Sequence, residues 1–260
     1  MIQMMHDTNR YLQHILGKLI QVFAHIDALR TMARQTLNRN WILPEVVAKE
    51  AECMVVTGLY HPLLEQPVAY DITIDATQPF LLMTGANMSG KSTFMRSLGV
   101  GALLAHIGMS VPATAFKISF LEGIVSNIQV EDNIFLGESY FFAEVQRMKL
   151  TAEKIKQQQY NLVIMDEIFK GTNVHDAYDC SKAVINGLLT KQNNLIVLST
   201  HLHELHAAYH DNPKINFKYL ETVIKADSTF HFTYKLKDGV SQDRIGFALL
   251  QQEGVIDLLK

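Results

Sequence analysis

Apolar residues recur in steps of three and four along residues 9 to 39: Leu12, Ile15, Leu19, Val22, Ile26, Leu29 and Ala33. That spacing places them on one face of a single long helix, ended by Trp41 to Pro44. Little precedes this helix for its stripe to pack on, so it reads as the end of a larger helical region. The pattern then changes. Met54 to Thr57 is apolar and β-branched, and Tyr70, Ile72 and Ile74 alternate with polar residues, so strands are predicted between 53 and 84, broken at His61-Pro62. Phe80 to Met83 is a continuous apolar run, the mark of a buried strand.

Leu98 to Val111 is the longest apolar candidate, but His106 interrupts it. It is shorter than the roughly 18 residues of a membrane span and reads as a buried helix. Strands follow at 115 to 120 and 124 to 130. Residues 139 to 158 form a predicted helix with Phe141, Val145, Met148, Ala152 and Ile155 on one face. Leu162 to Met165 and Leu195 to Leu198 are short buried strands on either side of a helix at 175 to 191. Alternation from 214 to 237 predicts an antiparallel hairpin, and a short helix starts at Gly246. Strands and helices alternate through the middle, which predicts an α/β fold with a mostly parallel central sheet and antiparallel pieces towards its ends. The division expected is a helical connector at 1–43 and a globular unit at 44–260.

Composition narrows the class. The 260 residues are 48% hydrophobic with a net charge of −3, which is not the footprint of a stand-alone nucleic-acid binder. Cys53 and Cys180 are the only cysteines. They give neither a disulfide framework nor a zinc spacing, and with no signal peptide in view a cytoplasmic location without membrane partners is expected.

The chemistry centres on Gly85-Ala86-Asn87-Met88-Ser89-Gly90-Lys91-Ser92-Thr93, between the strand at 80–83 and the next helix. The spacing fits a phosphate-binding P-loop. Glycines let backbone amides curl around an anion, and the helix N-terminus points at the same place. Lys91 adds a charge for the outer phosphates, and the Ser92 hydroxyl can ligate Mg²⁺. Downstream, the strand 162–165 ends in Asp166-Glu167, the Walker B arrangement. Asp166 would hold Mg²⁺, and Glu167 would polarise an attacking water. The next strand ends in Ser199-Thr200-His201, which puts His201 on the same sheet edge, where it can sense a γ-phosphate. His203, His206 and His210 share a helix face. His203-Glu-Leu-His206 is one residue short of the HExxH zinc spacing, and a polar, half-exposed face is the favoured reading over a metal site.

These elements together resemble the ATPase domain of the MutS family of DNA mismatch-repair proteins over nearly the whole chain. Thr84 to Thr93 resembles the family loop TGPNMGGKST, with Ala86 and Ser89 as departures and Asn87-Met88 as the specific feature. His61-Pro62 resembles its Arg-His-Pro, with Tyr60 in the arginine place. Gly108 with Val111-Pro112-Ala113 resembles its G-x-x-VPA. Gly137-Glu138-Ser139-Tyr140-Phe141 with Glu144 is similar to its GxSTF…E. Asp166 to Thr172 is similar to its DEIGRGT, and Ser199-Thr-His201 to its ATH.

The resemblance implies an ABC-type P-loop ATPase, with an antiparallel subdomain and a lever-like N-terminal helix, that hydrolyses ATP with Mg²⁺. It implies a homodimer with two composite ATP sites, each receiving Ser139 in trans, and Asp176 in a loop that communicates across the dimer. It also implies DNA contact through domains absent from this chain. Where the family has an aromatic residue against adenine, the place here falls near Pro67-Val68, with Tyr70 close by. Where it has an adenine-contacting histidine, this chain has Tyr234. Asn127 and Gln129 stand where the family has arginine and glycine. Two other readings remain open at this point: a nucleotide-gated interaction module with little turnover, and an SMC-like ABC ATPase unrelated to repair, the transporter signature LSGGQ being absent.

Overall fold

The computed structural model describes residues 2–128, 140–157, 159–224, 230–241 and 245–259. Ser139, expected to serve the site of a second subunit, and Gln129 lie outside the described residues. The chain opens with helix α1 (Ile2–Arg39). Strand β1 (Glu45–Val47) follows, then a single 3₁₀ turn at Lys49–Ala51 and strands β2 (Cys53–Leu59), β3 (Tyr70–Asp75) and β4 (Phe80–Thr84). Helix α2 (Lys91–His106) leads to β5 (Ala115–Ser119) and β6 (Gly123–Asn127). Then come α3 (Tyr140–Gln157), β7 (Asn161–Asp166), α4 (Val174–Leu189), β8 (Asn194–Ser199) and α5 (His203–Tyr209). The hairpin β9 (Ile215–Ile224) and β10 (Phe230–Asp238) precedes α6 (Ile245–Gln252) and α7 (Val255–Leu258).

Two sheets form. The larger has the order β10-β9-β4-β8-β7-β6, parallel throughout except for the β9–β10 hairpin. The smaller, β1-β5-β2-β3, is mainly antiparallel, with β1 alone parallel to its neighbour. The adjacent strands β5 and β6 therefore belong to different sheets. Apolar periodicity shows which residues share a face but not which sheet a strand joins.

The layering explains the apolar runs. Strands β4, β7 and β8 are buried on both faces, so successive residues alternate between two cores. Leu81, Met83, Ile164 and Val197 face Phe94, Met95 and Leu98 of α2, which lies between the two sheets. Leu82, Val163, Met165 and Leu198 face the opposite way, towards Ile155 of α3, Ile185 of α4 and Leu205 of α5.

Helix α1 starts earlier than the apolar stripe indicates, and that stripe, including Leu12, Leu19, Ile26 and Leu29, lies on the surface. Its last turn and the residues after it grip the body. Thr36 Oγ1 and Ser110 Oγ lie 2.5 Å apart, and Arg39 donates to the Pro62 carbonyl at 2.9 Å. Trp41 Nε1 donates to Tyr60 OH at 2.9 Å, and Ile42 bridges Val111. No helix among the described residues is long and apolar enough to cross a membrane.

Candidate functional site

Parallel strands bring their carboxyl ends to one edge, so motifs far apart in sequence converge there. The register aligns Met83 with Ser199, and Ser199 with Asp166. The β4–α2 turn, Asp166-Glu167 and His201 thus form one cluster.

The turn has the backbone the glycines foretell. Gly85 and Gly90 have φ of 141° and 100°, in the region that favours glycine. Met88 is also left-handed, at φ 67°. The loop is pinned from outside the motif, because the Ser241 N–H donates to Thr84 Oγ1 at 2.9 Å. Asn87 and Met88 are exposed at its outer lip. Ser89 is buried inside, its hydroxyl without a hydrogen-bond partner among the described residues. Lys91 is 4% exposed and donates to the carbonyls of Gly85 at 2.8 Å and Ala86 at 3.1 Å. Burial pushes its ammonium pKa down, against the opposing pull of Glu167 and Asp166. Ser92 and Thr93 are half-buried in the first turn of α2.

Asp166 is held at both oxygens. Ser92 Oγ donates to Oδ2 at 2.5 Å and Ser199 Oγ donates to Oδ1 at 2.5 Å. Ser199 also fixes the next residue, its carbonyl accepting the Glu167 N–H at 3.1 Å. Glu167 sits among nitrogen groups. His201 Nε2 is 2.6 Å from its Oε1, Lys91 Nζ is 3.5 Å from the same oxygen, and Lys170 Nζ pairs with Oε2. Burial alone would raise this carboxyl. Hydrogen bonds from His201 and Lys170, with the charges of His201 and Lys91, overcome that and hold it at about 2.

The residues expected beside the base separate. Tyr70 is 4% exposed, in the core, with its ring edge-on to Phe94 at 5.0 Å. Strand β3 points every second side chain inward, and burial, with Tyr234 nearby, raises the Tyr70 phenol pKa. Tyr234 is the opposite case. Pairing between β9 and β10 shifts register between Phe232 and Leu236, and Tyr234 has φ 57°. Such an irregularity re-aims a side chain. The exposed Tyr234 ring lies over Gly90, with Cδ1 3.2 Å from where a Cβ on that glycine would stand.

Two contributors, Lys170 and Ser199, have no assigned role in the sequence reading. The signals are the i,i+3 spacing of Lys170 from Glu167 and the place of Ser199 at the end of its own apolar run, which the β7–β8 register sets beside Asp166. Asp176 stands in the first turn of α4, its N–H accepted by the Asn173 cap at 3.0 Å. On α5, His206 packs edge-on to Phe217 and His210 lies 3.1 Å from Asp211. Among the described residues no three His, Cys, Asp or Glu side chains group as a metal site.

The arrangement is chemically specific. A buried ammonium and an unpartnered buried hydroxyl inside a glycine turn suit a polyphosphate. A hydroxyl and a carboxylate 2.5 Å apart beside it are hard oxygen donors that suit Mg²⁺. A poised carboxylate and an imidazole complete the edge.

Residues 81–257 match the family described as MutS domain V. A DNA mismatch repair protein msh3 from Emericella nidulans is 31% identical over 243 residues, which cover 89% of this chain and 22% of that protein. DNA mismatch repair protein MutS 1 from Halobacterium salinarum is 29% identical over 245 residues, covering 93% of this chain and 27% of that protein. The chain thus spans about a quarter of the length of these relatives.

Proposed function

The chain belongs to the MutS family of DNA mismatch-repair proteins, and from that premise we propose that it is an ABC-type ATPase unit that binds and hydrolyses Mg²⁺·ATP. The observation that carries this reading is the single cluster of Lys91, Ser92, Asp166, Glu167 and His201 at one sheet edge.

Ser92 and Asp166 would hold the magnesium ion, whose charge, when bound, offsets that of the phosphates. Gly85, Asn87, Met88, Ser89, Gly90, Lys91, Ser92 and Thr93 form the phosphate cradle, and Lys91 turns its ammonium from the Gly85 and Ala86 carbonyls to the outer phosphates. Glu167 is ionised at neutral pH and accepts a hydrogen bond from the attacking water. His201 orients Glu167 and faces the γ-phosphate end of the cradle. Tyr234 stacks on the base; Tyr70 has no part in it.

Residues 1–43 act as the connector and 44–260 as the ATPase unit. The grip of Thr36, Arg39 and Trp41 on residues 60, 62 and 110 supports transmission of nucleotide state to α1. We further propose a homodimer with Ser139 completing the opposite site, and DNA contact made by other parts of the parent protein. Cys53 and Cys180 are both free thiols, in keeping with a cytoplasmic setting. Family membership favours this reading over an SMC-like ATPase unrelated to repair.

One observation favours a second reading, a nucleotide-gated clamp with little turnover. Lys170 and His201 engage the two Glu167 oxygens, so the carboxylate is not free to take a water proton. Phosphate release from ATP, measured beside ATP-dependent sedimentation, tests the pair. Magnesium-dependent release by the purified chain supports the ATPase. ATP-driven dimerisation with negligible release supports the clamp, and absence of ATP binding contradicts both.

A further inference from the structure

Glu144 takes no part in the chemistry above, yet it is a carboxylate only 5% exposed. It stands one turn into α3 and reaches out of that helix to another element. Its Oε1 accepts the Lys170 N–H at 3.0 Å and its Oε2 accepts the Gly171 N–H at 3.0 Å. Burying a carboxylate is unfavourable unless its oxygens are hydrogen-bonded, and here both bonds go to the loop that begins at Glu167.

Two more contacts close the same junction. A Cβ on Gly171 would stand 2.6 Å from the Phe141 nitrogen and 2.6 Å from the Tyr140 ring, so the loop backbone lies directly on the start of α3. Phe169 is buried, with its ring 6.0 Å from that of Phe141. The loop held this way is strained. Glu167 and Phe169, neither a glycine, have φ of 51° and 60°. Left-handed backbone at such residues is disfavoured and persists only where the surroundings fix it.

We propose that Glu144 is a positioning residue for ATP hydrolysis: by clamping the Lys170–Gly171 backbone to α3, it holds the Glu167 carboxylate in its place between Lys91 and His201. It acts through the loop and touches no nucleotide. The proposal rests on the reading of Glu167 as the hydrolytic carboxylate. A purely structural Glu144 would instead tie α3 to the body, and its loss would lower stability without a selective effect on turnover.

The test uses the full chain. Glu144→Gln keeps one acceptor oxygen and places an amide NH₂ against the second N–H, so one clamp bond is lost with little change in volume. Gly171→Ala attacks the junction with Glu144 intact. Both are compared with wild type for kcat and KM with Mg²⁺·ATP, for affinity towards a fluorescent ATP analogue, and for thermal unfolding.

The expected result in both variants is a kcat lowered by about tenfold or more, as small misplacements of a catalytic group produce, with nucleotide affinity within about twofold. In a Glu167→Gln background, Glu144→Gln should lower the residual rate no further. A folded Glu144→Gln with wild-type kcat overturns the proposal, as does a parallel loss of kcat, affinity and stability in both variants. Wild-type chain without magnesium-dependent turnover overturns the hydrolytic reading itself, which separates that failure from failure of the clamp.

Discussion

The Ser92 hydroxyl donates to Asp166 Oδ2 at 2.5 Å across 74 residues of sequence, and the other oxygen of the same carboxylate is held by Ser199. Helix α2 and the end of β7 are thereby joined through a pair of hard oxygen donors. Asp166→Asn keeps the shape and removes the charge. The expected outcome is magnesium-supported ATP affinity at least about tenfold weaker, with affinity in chelator unchanged. Titration of a fluorescent ATP analogue with and without magnesium checks it.

Lys91 is the only ammonium directed at the Gly85 and Ala86 carbonyls among the described residues. Lys91→Ala leaves the cradle without its buried cation. Loss of measurable ATP binding is expected in the same titration, with a far-UV spectrum like that of wild type.

Tyr234 and Tyr70 should separate cleanly. Tyr234→Ala removes the ring over Gly90, and ATP affinity should fall about 5- to 100-fold, the range of base–aromatic stacking. Competition by inorganic triphosphate should not change. Tyr70→Phe keeps the buried ring against Phe94 and should leave ATP affinity as it is.

The hydrogen bonds around Glu167 tie stability to pH. Its carboxyl is lowered from 4.5 to about 2, so the folded state favours the ionised form. That contribution is fully present above about pH 4.5 and is lost as pH falls towards 2. It amounts to about 3 kcal/mol at neutral pH. In urea unfolding without nucleotide, wild type should exceed Glu167→Gln by a constant margin from pH 7 to 5. The margin should shrink below that, whereas a margin independent of pH would contradict the assignment.

Much of the sheet edge was legible because the strands that build it are buried on both faces. Phe80–Met83, Leu162–Met165 and Leu195–Leu198 announce themselves as unbroken apolar runs, and each is followed at once by its polar group. Local spacing therefore located Lys91, Asp166, Glu167 and His201 together. Other features depend on pairing across the chain. Strand β1 has three residues, too few for a period, and is defined by Lys117 to Ser119 opposite it. Tyr70 shares the apolar face of β3 with Ile72 and Ile74, so its alternation already points inward, and it is the family's adenine position nearby that draws it to the base. The Glu144 clamp ends on backbone N–H groups, which carry no residue signature at all.

The account stands most directly on Glu167. Single-turnover hydrolysis of ATP with magnesium should be about 10²- to 10⁴-fold slower in Glu167→Gln than in wild type, with ATP still bound, as expected when the group that orients the attacking water is lost. A Glu167→Gln chain that binds ATP and hydrolyses it at the wild-type rate would contradict the role assigned to this residue.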